Sequence, residues 1–150
     1  MSSIVEVSEA SAVLDLEARF YIMATIISEH LRYKQGMHTR LFQCLIPDQS
    51  VYVGKSKRGG GHKEHVVPLA YLRDESNKML RDGRTVEYVA EFLKKNFKVV
   101  EITVEEPDYL NSKESGLKCK MPRDWDGTDE FARLRYCKIE WEPDTITNTD

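Results

Sequence analysis

A single small α+β domain is what this sequence predicts, and three features carry that reading. A long N-terminal stretch repeats its apolar residues at helical spacing, and a central stretch sets short apolar runs between turn residues. The strand-like runs are also too few and too scattered for a doubly wound sheet. Length agrees, since 150 residues suit one domain with its own core. The expected layout is a flexible arm over 1–7, a globular domain over 8–142 and a frayed polar tail over 143–150.

The first element is a helix from Ser8 to about Lys34. Val13, Leu16, Phe20, Met23, Ile27 and Leu31 recur at steps of three and four, Ser8 can cap, and Gly36 stops the run. Such a helix is roughly 40 Å long, and Ile22 and Ile26 widen its apolar face. It can serve as the spine of the domain or as the seam of a homodimer. Next, Leu41 to Ile46 and Val51 to Val53 read as two strands around the turn residues Pro47 to Ser50, a β-hairpin. Lys63 to Val67 is a short extended piece after a glycine-rich loop, with Val67 held extended by the proline that follows.

Pro68 suits the first turn of a helix whose apolar face is Leu69, Leu72, Met79 and Leu80, ending at Gly83. Thr85 caps another helix, with Val86, Val89, Ala90 and Leu93 inward and Lys94 and Lys95 near its negative end. Phe97 to Thr103 reads as a strand. A short helix or turn follows over 104–113, with Thr103 as its cap, and a last short helix passes through Phe131 and Leu134.

Composition excludes several classes. The net charge of −3 and a pI near 5.9 argue against a general nucleic-acid coat, and no apolar run is long enough to span a bilayer. No membrane partner is expected. Three cysteines without a CxxC spacing do not make a disulfide framework, and no secretory signal is read, so a cytoplasmic protein is the expectation. Charge is uneven, however. Between Tyr52 and His65, Lys55, Lys57, Arg58 and Lys63 face Glu64 alone, whereas from Met121 to Asp150 acids outnumber bases eight to four.

Residues 59–68, Gly-Gly-Gly-His-Lys-Glu-His-Val-Val-Pro, concentrate more chemistry than any other stretch. The part from Glu64 through His65, Val66 and Val67 to Pro68 resembles the first motif of the HNH (His-Me finger) nucleases. There an acid or histidine precedes a histidine, and two β-branched residues and a proline follow. The resemblance implies a metal-dependent phosphodiester hydrolase with nucleic acid as partner. In it His65 is the general base that activates water, and Glu64 binds a divalent metal, Mg or Zn. His62 is a second ligand or a phosphate contact, and Asn77 orients the base. Lys55, Lys57, Arg58 and Lys63 would hold the nucleic-acid backbone. The sequence departs from the family in having no histidine downstream for the closing motif, leaving Asp74, Glu75 or Asp82 as substitutes, and in reading as helix directly after Pro68.

Plainer roles fit the same residues. His65 can be a half-buried histidine bonded to backbone, Gly59 to Gly61 a turn without ligand, and Cys44 a buried thiol in an apolar strand. Cys44, His62, His65 and Cys119 have the chemistry of a structural zinc set. Trp125 and Trp141 read as covers over core edges. A second function class also follows from the sequence. In size and acidic tail the chain looks similar to small proteins encoded by phages and mobile elements. That implies a non-enzymatic protein that binds and inhibits a host protein, through the N-terminal helix or the acidic face near Trp125.

Overall fold

A computed structural model describes residues 2–107, 117 and 120–143, with side chains from Asp15 onward. The α+β expectation holds. Helix α1 runs Ser2–Arg32, followed by α2 (Arg40–Leu45), a 3-10 turn (Asp48–Val51), β1 (Tyr52–Ser56) and β2 (Gly61–His65). Then come α3 (Leu69–Arg81), α4 (Val86–Asn96), β3 (Val99–Thr103), a short α5 (Ala132–Tyr136) and β4 (Trp141–Pro143). The sheet order is β2-β3-β1-β4, with β1 parallel to β3 and the two edge strands antiparallel to their neighbours. No helix among the described residues is long and apolar enough to cross a membrane.

Local chemistry explains several element ends. Thr85 accepts the Tyr88 amide at the start of α4. Thr103 and Glu106 form a reciprocal capping box, Thr103 Oγ1 accepting from the Glu106 amide and the Glu106 carboxylate from the Thr103 amide. The remainder of the helix expected over 104–113, from 108 on, lies outside the described residues, as does the tail from 144. Gly83 adopts φ 89 and closes α3, with the next amide, Arg84, returning to the Met79 carbonyl. The same left-handed closure ends α1 and α5, but with Lys34 (φ 56) and Lys138 (φ 60) in the glycine position. That conformation costs a non-glycine residue about 1 kcal/mol.

Two expectations are corrected. The first is the start of α1, which is helical from Ser2 rather than from Ser8, as a stretch without glycine or proline allows. The second is the hairpin, which does not form. Residues 40–45 are helical, and β1 pairs with β3 and β4 instead. Phe42 and Ile46, four apart, are fully buried, and Leu41 and Leu45, also four apart, are half-buried. Burial therefore follows a helical period, and Cys44 points outward, exposed, instead of lying in an apolar strand.

The core gathers Phe20, Met23 and Ile27 of α1 with Leu72 of α3, Val89 and Leu93 of α4, and the strand residues Val99, Val100 and Ile102. Phe97 sits at its centre. Its ring meets Phe20 at 5.9 Å, Phe42 at 5.6 Å and His65 at 5.4 Å. Burying one such ring contributes about 2 kcal/mol. Polar ties lock the helices, including Lys94 Nζ to Glu17 at 2.8 Å and Arg19 Nη1 donating to the Leu45 carbonyl. Trp125 and Trp141 are half-buried against the core, as their expected role as edge covers requires.

Candidate functional site

Strand β2 carries the histidine segment as an edge strand along β3, with His62 opposite Ile102, Lys63 opposite Glu101, Glu64 opposite Val100 and His65 opposite Val99. Neighbouring side chains on a strand point to opposite faces. His62 and Glu64 therefore share one side of the sheet, and Lys63 and His65 the other.

On the Glu64 side stands Arg133 of α5, which is 1% exposed. Its Nη2 donates to Glu64 Oε1 at 2.5 Å and to the His65 carbonyl at 2.6 Å, while Nη1 donates to the Leu117 carbonyl at 2.9 Å. Glu64 Oε2 lies 2.9 Å from His62 Nε2. Arg133 was not singled out from the sequence. A guanidinium beside Leu134 in a short amphipathic run reads as surface, and its acid partner is 69 positions away.

On the other side, the His65 ring packs edge-on against Phe97, its planes at 87°, with its side chain 14% exposed. Nε2 is 3.2 Å from Asp48 Oδ1 in the 3-10 turn. Burial pulls the imidazole below its ordinary pKa, and this outweighs the opposing pull of Asp48 and Glu64. The ring is therefore neutral near pH 7. Asn77 is elsewhere, on α3, lining a cleft with Leu31, Lys34 and Arg81, and no hydrogen bond joins it to His65.

The donors do not form a cation cage. Glu64 and His62 approach one another, but the guanidinium against Glu64 already balances its charge and repels a metal ion. No group of three or more His, Cys, Asp or Glu side chains suited to a metal occurs among the described residues. Of the zinc set, His62 and His65 face opposite sides of β2, Cys44 is exposed on α2, and Cys119 lies outside the described residues.

The cationic stretch is not an isolated patch once folded. Glu142, Lys55, Glu101 and Lys63 stand at one register level across all four strands, alternating in sign. Lys57 Nζ lies 3.6 Å from Glu140. Arg58 borders a cleft that also holds Glu105 and Glu106. The three glycines have backbone reasons. Gly59 and Gly61 adopt φ 127 and 124, and a Cβ on Gly60 would collide with the Glu101 carboxylate. The turn thus closes over the charged row.

Two outcomes test this geometry. Glu64→Gln or Arg133→Met leaves the other partner buried and unpaired, so each should lower unfolding stability by about 3 kcal/mol in urea titrations. The Glu64→Leu, Arg133→Met double variant should recover much of that loss. Single losses under about 1 kcal/mol would show that the pair does not hold the two elements together.

For His65, the unfolded ring titrates near 6.5 and the folded ring lower. Between those values the unfolded chain holds more protons, so this contribution is complete above pH 6.5 and is lost as pH falls through the folded value. Stability should therefore drop between pH 7 and pH 5, and His65→Gln should flatten that drop. An equally steep profile in the variant would refute the assignment.

No protein-family model, curated protein or solved structure matches this chain at a significant level.

Proposed function

We propose that this chain is a non-enzymatic recognition domain that docks onto a basic segment of a partner protein through the acidic, aromatic cleft beside Trp125. The non-enzymatic half of the reading is supported by the divergence on β2, where Glu64 serves the Arg133 ion pair and the His65 ring lies across the sheet from it. The observation that carries the docking half is a cleft of about 350 Å3 bordered by Trp125 and Tyr136, with Asp124, Asp126 and Asp129 around it.

The cleft is preorganised. Trp125 Nε1 donates to the Asp129 carbonyl at 2.6 Å, and the indole rests edge-on against Tyr71. Asp126 accepts from both the amide and the hydroxyl of Thr128, which holds its carboxyl below the usual range and therefore ionised. Tyr136 is 57% exposed. Aromatic faces with carboxylates beside them attract lysine and arginine side chains through cation–π and charge together. Arg135 sits at the rim on Asp129 at 3.1 Å, and an incoming cation would compete with it. A partner whose working surface is basic would be inhibited by such docking, the role expected for a protein of phage or mobile-element type.

One observation favours the nuclease reading instead. A general base must be neutral, and burial keeps His65 so.

A single set of measurements separates the two. A lysine- and arginine-rich peptide should bind and perturb Trp125 fluorescence, an acidic peptide of equal length should not, and Asp124→Lys with Asp126→Lys should remove the response. Unchanged binding after those reversals would exclude the cleft. Incubation with plasmid and single-stranded DNA in Mg2+ or Zn2+ should give no cleavage; cleavage that disappears in His65→Ala would replace the recognition reading with the hydrolase.

A further inference from the structure

We propose that a double cleft around Lys138 binds a small phosphorylated ligand with a planar ring, of nucleoside monophosphate size. Two cavities of about 500 and 560 Å3 adjoin there and share Lys138 and Ile139. Volumes of several hundred Å3 are ordinary for small-molecule sites. The first is walled by Phe131 and Trp141, whose rings lie 4.5 Å apart and 31° from parallel. The second opens beside Arg58 and Thr103.

The charges divide unequally. In the first cavity Lys57 is matched by Glu140, and Arg135 by Asp129. The Lys138 ammonium and the Arg58 guanidinium have no ion pair among the described residues, and Lys138 belongs to both cavities. Against them stand Glu105, exposed, and Glu106, whose carboxylate already accepts the Thr103 amide. The anion therefore belongs between Lys138 and Arg58, and the ring against the aromatic wall.

Backbone geometry supplies an independent argument. Lys138 holds φ 60 in the closing turn of α5, where glycine meets the requirement without strain. Lys138 lines both cavities from that position, at the expense of local stability. Lys34 occupies the matching turn after α1 and provides an internal control.

The test uses the full chain, with adenosine monophosphate, adenosine and inorganic phosphate as probes, followed by calorimetric titration and thermal melting. The monophosphate should bind, and adenosine or phosphate alone should bind more weakly. Lys138→Gly should melt no lower than the parent yet bind the monophosphate on the order of tenfold more weakly. Arg58→Ala should also weaken it, and Lys34→Gly should leave binding unchanged. Equal affinity in Lys138→Gly, equal affinity for adenosine, or no binding at millimolar monophosphate would each overturn the proposal.

Discussion

The ion pair between Arg133 and Glu64 is the constraint on which the arrangement of this domain turns. A guanidinium 1% exposed carries a desolvation penalty that only close, well-placed acceptors offset. It finds them in Glu64, in the His65 carbonyl and in the Leu117 carbonyl. Three parts of the chain far apart in sequence are thereby held at one point. An edge strand that would otherwise offer unpaired backbone has one of its carbonyls capped as well.

That pairing also fixes how the histidine segment is engaged. Strand alternation places Glu64 toward Arg133 and turns His65 toward Phe97 and Asp48. Each side chain is engaged in holding a different layer. The neutral imidazole acts as part of the aromatic cluster around Phe97, which joins α1, α2 and the start of β3. The residues richest in catalytic chemistry thus contact the Arg133 pair and the aromatic core, and further charged clefts lie beside α5. One flank presents carboxylates around Trp125, the other Lys138 and Arg58.

The positive stretch before the histidines shows how a sheet rewrites a linear charge pattern. Lys55 and Lys63 gain acids from β3 and β4 as cross-strand neighbours, and alternating charges at one level favour this register over one placing like charges opposite. The glycine run is explained by the same sheet, because the Glu101 carboxylate needs the space a side chain on Gly60 would fill.

Much of the fold was legible in local signals. The apolar spacing of α1, the Thr85 cap, the Gly83 stop, the Thr103 cap and the β-branched run of β3 are all short-range, and short-range steric and hydrogen-bonding preferences survive in any tertiary setting. Residues 41–46 were not legible, because an apolar run of six fits a strand or a helix until its neighbours choose the face to bury. Nor were the burial of Arg133, the separation of Glu64 from His65 by the sheet, or the placing of Glu101 opposite Lys55. By itself the sequence determined which segments could be helix or strand and which residues carried charge. The tertiary structure alone decided which charges met and which were buried, since pairing energy depends on distance in space and on excluded water, neither of which is written along the chain.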